Sequence, residues 1–302
     1  MRLSQVLLAI ALLAVPSTAS GQPQALGNLW QSPRGSVLLT ECPPGVDHDE
    51  YCRAVEVRSR EGVVKLGDGY DRVRLLWTRK GSGSGPEALV LGDYGGSGGS
   101  ADLFGIYFSP RIGFRKIGGD RFDTVTVRAK RAGFHLSLPF NIEFFNGAPH
   151  AGAILLPLPV LWTNDDFAID LDELTRRTYS SSELDFRALA IREELEAWAR
   201  DKFPAPRLYP PQARDGTPVT ATALVEMMLS GHADQAQDLV DRAWPVQSEH
   251  GDKPLGGKSD FWAALCQAVV RQPSWKRFSL ARLPHAELIE QGARRRDNST
   301  DR

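Results

Sequence analysis

The period of the hydrophobic pattern changes once along this chain, between Asp170 and Ser180, and that change restricts the fold more than any other feature. Before it, apolar residues alternate with polar ones. Phe134-His135-Leu136-Ser137-Leu138 and Asp123-Thr124-Val125-Thr126-Val127-Arg128 have period two, which sets one face of a strand on a core. Ala54–Arg58, Val63–Leu66, Val73–Trp77, Ala88–Leu91, Leu103–Phe108, Ile142–Phe145 and Ile154–Trp162 are further strand candidates, separated by turn residues. No helical pattern lies between them to carry a parallel crossover, so the strands are expected to be antiparallel, as a sandwich, barrel or meander.

After the change the period is helical. Ser180-x-x-Glu183 has the form of a capping box, and Leu184, Ala188, Ile191, Leu195 and Trp198 follow on one face. Glu183/Arg187 and Glu196/Arg200 are spaced to pair on the outer face. Four prolines between Phe203 and Pro211 predict an extended linker. A second helix is predicted from Thr217-Pro218 to Gly231, burying Ala221, Leu224, Val225 and Met228. A third, Ala233–Trp244, turns Ala236, Leu239, Val240 and Ala243 inward and forms an antiparallel hairpin with the second. A fourth follows Ser259 with Phe261, Trp262, Leu265, Cys266 and Val269 on one side. Met227, Trp244 and Trp275 join the expected core. The fold class is therefore α+β, with an antiparallel β domain at 28–172, a helical domain at 180–290 and a disordered basic tail at 291–302.

The N-terminus sets the compartment. Arg2, the apolar run Val6–Val15, Pro16 and the small residues Ser17-Thr18-Ala19-Ser20 have the layout of an export signal, expected at 1–20. The apolar run is about half the roughly twenty residues a spanning helix needs. No later window is long and apolar enough, so no membrane span is expected once the signal is cleaved. Three cysteines remain, Cys42, Cys52 and Cys266. In an oxidising compartment the near pair Cys42 and Cys52, flanking a turn-rich loop, is expected to be a disulfide, and Cys266 to be a core residue. The protein is expected to be periplasmic or secreted.

The 36 basic and 37 acidic residues leave a formal net charge of −1, with no field of one sign to draw in nucleic acid or an anionic membrane. Hydrophobic residues make up 42% of the chain, enough for a core without a disulfide framework.

One segment invites a chemical reading, Gly92-Asp93-Tyr94-Gly95-Gly96-Ser97-Gly98-Gly99-Ser100-Ala101-Asp102. A phosphate cradle needs a helix and a Lys after the glycines, and a strand follows instead. The serine-protease pattern Gly-Asp-Ser-Gly-Gly has Tyr94 in the nucleophile's place. Asp93 and Asp102 alone are too few for calcium. A wide turn between two strands fits best. Neither His135, on the polar side of its strand, nor the loop residue His150 has a partner at metal-ligand spacing, so no metal and no cofactor is expected.

Tyr94-Gly95-Gly96 after a strand, Leu158-Pro159-Val160-Leu161-Trp162, Leu224–Trp244 with Ser230-Gly231-His232-Ala233 at its hairpin, and Gly257-Lys258 through Trp275 resemble a group of uncharacterised exported bacterial proteins. There the Gly-Gly is often followed by Ala-His-Cys-Cys; here Ser97-Gly98-Gly99-Ser100 follows. The resemblance implies bacterial export and a Gly-Gly-loop β domain followed by a helical one. It implies no activity.

No pair of side chains stands out as general acid and base. The chain reads first as an exported, non-catalytic binding or protein-interaction protein of the bacterial envelope, its partner an unidentified protein or envelope component. The alternative is an envelope hydrolase acting on peptidoglycan, peptide or ester bonds, with Ser97, Ser100, Asp93, Asp102 and His150 as its candidate residues near the Gly-rich loop.

Overall fold

The computed structural model describes residues 25–42, 52–79, 85–96, 99–108, 111–121, 125–130, 133–143, 145, 153–163, 165–200, 219–244 and 257–297. Three four-stranded antiparallel sheets come first, each with strands that neighbour in sequence paired side by side. The first sheet holds β1 (Ala25–Ser32), β2 (Gly35–Glu41), β3 (Arg53–Ser59) and β4 (Gly62–Tyr70). The second holds β5 (Arg72–Thr78), β6 (Ala88–Asp93), β7 (Ser100–Tyr107) and β8 (Gly113–Arg121). In the third, β9 (Thr126–Lys130), β10 (Gly133–Ile142), β11 (Ile154–Thr163) and β12 (Asp166–Ile169) follow one another.

The helices are α1 (Leu171–Leu174), α2 (Ser181–Arg200), α3 (Val219–Leu229), α4 (Ala233–Ala243), α5 (Lys258–Val270), α6 (Pro273–Arg277) and α7 (Ala286–Asp297), with a 3-10 turn at Leu280–Arg282. The helix start read at Ser180 is real: its Oγ accepts from the Glu183 amide at 3.2 Å. The predicted hairpin is α3 and α4, turned at Gly231 with φ of +81°, a conformation that suits glycine. α7 runs to Asp297, into the segment expected as a disordered tail. β1, β2, β8 and β12 were not among the named strand candidates, and the candidate Ile142–Phe145 stops at Ile142, beyond which Phe145 packs edge-on to Phe261.

Burial explains the layering. β6 is buried on both faces: Ala88 and Val90 pack with Val37, Val55 and Val57 of the first sheet, while Leu89 and Leu91 pack with Leu136, Leu138 and Phe140 of the third. Such two-sided burial is why Ala88–Leu91 reads as a continuous apolar run and not an alternation. The third sheet turns its even-numbered β10 side chains toward the second: Phe134 meets Trp77 with ring centroids 4.9 Å apart. On the same face, Trp162 covers Gly105, where any Cβ would stand 2.7 Å from the indole. The odd-numbered side chains of β10 therefore face the other way, and α1 and α3 pack on β11. One core cluster runs from the second sheet through the third into the helices.

Cys42 and Cys52 form the expected disulfide, with Cα atoms 5.5 Å apart, where β2 ends and β3 begins. Cys266 is free and buried, and burial pushes its thiol up to about 12. Among the described residues no helix is long and apolar enough to cross a membrane. Residues 1–20, where an export signal is expected, lie outside the described residues.

Candidate functional site

β10 alternates, and the helices cover the face that alternation assigns to water. His135 projects there, yet it is only 9% exposed. Its Nε2 stands 2.9 Å from Asp170 Oδ2 and its Nδ1 3.3 Å from Glu173 Oε2. Both acids belong to the start of α1. Asp170 is the N-cap, its Oδ1 accepting from the Glu173 amide at 3.0 Å, which satisfies one of the unpaired donors of a helix N-terminus. Asp170 in turn is tied to the sheet through its own amide, which donates to the Pro159 carbonyl at 2.9 Å. β10, β11 and the first turn of α1 thus place an imidazole and two carboxylates together, with one ligand atom from each within 4.8 Å of the others.

A cavity of about 380 Å³ opens on this cluster. Pro157, Pro159, Leu174 and Leu229 supply its apolar lining, and His135, Ser137, Glu173, Arg177, Glu226 and Ser230 its polar groups. The far wall is built by the segment before α2. Tyr179 is buried and in hydrogen-bond contact with Ser230 at 3.2 Å, and the guanidinium groups of Arg177 and Arg187 stack on its ring at 4.9 and 5.0 Å. The ring of His232 meets Tyr179 edge-on, and its Nε2 contacts the Arg177 carbonyl at 2.8 Å. Arg177 also pairs with Glu226 and Glu183, and Arg187 reaches both acids. The wall is therefore held by charge pairs whose members already have partners. Arg128, which also lines the cavity and pairs with His135 across the ladder, is exposed and makes no ion pair with another described residue.

The Gly-rich segment has a different environment. It forms the turn between β6 and β7, closed by the Tyr94 amide on the Ser100 carbonyl at 3.0 Å. Gly95 and Gly96 have φ of +74° and +75°. Gly92 pairs directly with Asp102, so Asp93 and Asp102 point to opposite faces of the sheet. Asp93 accepts from the Gly95 amide at 2.8 Å and pairs with Arg72 at 3.2 Å. Asp102 is 2% exposed and accepts from Tyr70 and Tyr94 at 2.7 Å each, with Lys116 Nζ also at 2.7 Å. Both phenols are raised above their ordinary value, by burial first and by the bond to Asp102 second, Tyr94 to about 12 and Tyr70 further. Ser100 is exposed at the start of β7, and no hydrogen bond joins it to a histidine among the described residues. Ser97 and His150 lie outside the described residues.

Of the histidines weighed from sequence, His135 is the one whose surroundings change the reading. Sequence spacing gave it no partner; the fold brings two, because β10 and α1 meet across β11. A signal was present: Asp170-x-x-Glu173 directly after a strand is a helix start carrying two acids. Set against models of protein families, curated proteins and solved structures, the chain matches none of them.

Proposed function

We propose that this chain is an exported, non-catalytic binding protein of the bacterial envelope, and that its ligand occupies the cavity between the third sheet and the helices. The observation that carries the reading is the cavity itself. About 380 Å³ of space with an apolar lining and a few converging polar groups is the usual form of a small-molecule site. Arg128 is a cation at its edge with no partner among the described residues, which suits a ligand with an apolar body and an acidic group. The leader-like N-terminus and the Cys42–Cys52 disulfide support an oxidising compartment.

The test is a filled cavity. The mature chain, titrated with the amphipathic anion 1-anilinonaphthalene-8-sulfonate, is expected to bind one equivalent saturably. Ser137→Trp places an indole in the cavity from a half-buried strand position and should abolish that binding while the circular dichroism spectrum is kept. Arg128→Gln should weaken it several-fold through loss of one charge-assisted contact. Binding that survives Ser137→Trp unchanged would place the ligand elsewhere and end the proposal.

A further inference from the structure

We propose that His135, Asp170 and Glu173 form a binding site for one divalent transition-metal ion of the zinc type, with an open coordination position toward the cavity. The proposal extends the cavity reading and is tested apart from it.

The donor chemistry comes first. Both ring nitrogens of His135 face carboxylate oxygens, at 2.9 and 3.3 Å. A neutral imidazole has one N–H and can donate to only one of them; at the other nitrogen, lone pair meets lone pair. The three groups bring together the donor atoms a cation takes, in a place where His135 is almost wholly shielded from water. Beside a neutral imidazole, a dication held by one ring nitrogen and the two carboxylates takes up that lone pair. The three ligand atoms lie within 4.8 Å of one another, so a side-chain swing brings them to bonds of about 2.0–2.2 Å around one ion. One imidazole with two carboxylates favours zinc or a neighbouring first-row ion. Calcium wants six to eight oxygens, and copper(I) wants sulfur.

Support around the donors points the same way. Asp170 is fixed from behind by the Glu173 amide on its other oxygen, an outer hydrogen bond of the kind that orients ligating carboxylates. Glu173 is 39% exposed at its side chain, free to swing onto the ion without disturbing the core. His135 and Glu173 both line the cavity. Three protein ligands leave at least one coordination position open, and here that position faces the space where an acidic ligand group would sit.

The experiment uses the full mature chain, stripped with chelator and dialysed against zinc chloride. One equivalent of zinc per chain is expected to be retained and to raise the thermal midpoint. Glu173→Gln should weaken zinc binding roughly tenfold or more without altering the metal-free circular dichroism spectrum. His135→Ala should abolish it, and Glu173→Gln decides alone where that variant does not fold. Cobalt(II) in place of zinc should give visible absorption bands that Glu173→Gln shifts. His285→Ala is the control: His285 stands in the open, 3.8 and 3.9 Å from Asp234 and Glu287, and its loss should leave zinc binding unchanged. No retained zinc, retention equal in Glu173→Gln and the parent, or loss in His285→Ala would each overturn the proposal. Ser137→Trp separates the two readings, since it should remove the dye and leave the zinc.

Discussion

Two carboxylate-centred clusters sit in this molecule, one at Asp102 and one at His135, and they differ in what is left over. Around Asp102 donors surround a single acceptor group: two phenol hydroxyls and one ammonium converge on one carboxylate, 2% exposed. Around His135 two carboxylates converge on one imidazole, beside a cavity. The first arrangement is complete and belongs to the fold. It joins the end of the first sheet, through Tyr70, to the second, through Asp102, and closes the turn that bears Tyr94. The second brings three candidate ligand atoms together with room beside them. A buried cluster closed by donors stabilises; one that lines a cavity also meets whatever enters it.

The sharpest way to break this comparison is to remove one carboxylate from each side. Asp102→Ala leaves the fully buried Tyr70 hydroxyl without its acceptor and should cost about 3 kcal/mol, since hydrogen bonds to charged groups are worth about 1.5–3 kcal/mol each. In a chain of this size that lowers the melting temperature by roughly 6–12 °C. Glu173→Gln, in metal-free protein, should stay within about 0.5 kcal/mol of the parent. Thermal melts of the two variants settle it. Equal losses would make the His135 cluster as structural as the other.

The glycines sharpen the first half of the comparison. Gly92 lies directly under Tyr70: a Cβ there would stand 2.6, 2.7 and 2.8 Å from the ring atoms Cε1, Cδ1 and Cζ. The ring is 0% exposed and held by Asp102, so it has nowhere to move. Gly92→Ala should therefore cost about 1–3 kcal/mol by overpacking. At Gly96 nothing lies within 4 Å of such a Cβ, and the only penalty is the φ of +75°, about 1 kcal/mol. Denaturant midpoints measured on both variants should rank them in that order. The reverse ranking would mean that the Tyr70–Asp102 contact is loose.

Much of this was legible in the chain, and the rest failed for identifiable reasons. The β6–β7 turn at the Gly-rich segment, the disulfide, and the α3–α4 hairpin follow from local signals that the fold leaves intact. β8 is hidden because Gly113-Phe-Arg-Lys-Ile-Gly-Gly-Asp-Arg has too few apolar residues to alternate. His135 is hidden because alternation assigns it to the wet face, whereas α1 and α3 pack against that side of the third sheet. Period two tells which side chains share a face; it does not tell what lies against that face. Pro139 and Pro159, buried with His135 on that side, were the trace of a covered surface. The Asp102 cluster could not be read either. Its donors come from β4, β8 and the turn, and only the sheet register brings them to one carboxylate.

The smallest effect lies at alkaline pH, and it isolates one phenol. In the unfolded chain a tyrosine ionises near 10; in the folded protein burial, then the bond to Asp102, hold Tyr94 neutral to about 12. Above pH 10 the unfolded chain therefore releases its proton first. The stability contributed by Tyr94 is complete below pH 10 and is lost as pH rises from 10 toward 12. Tyr70, raised further, loses its contribution over a range that begins at the same point. Tyr94→Phe removes one of the two terms, so urea midpoints of the variant should fall less steeply between pH 10 and 12 than those of the parent. Tyr94 is 42% exposed, which limits the difference to a modest change of slope. Asp68 adds a weaker charge effect in the same direction, so Asp68→Asn should not reproduce the flattening. Parallel curves for Tyr94→Phe and the parent would show that Tyr94 only touches Asp102 and is not held by it, and the completeness of that cluster would then rest on Tyr70 and Lys116 alone.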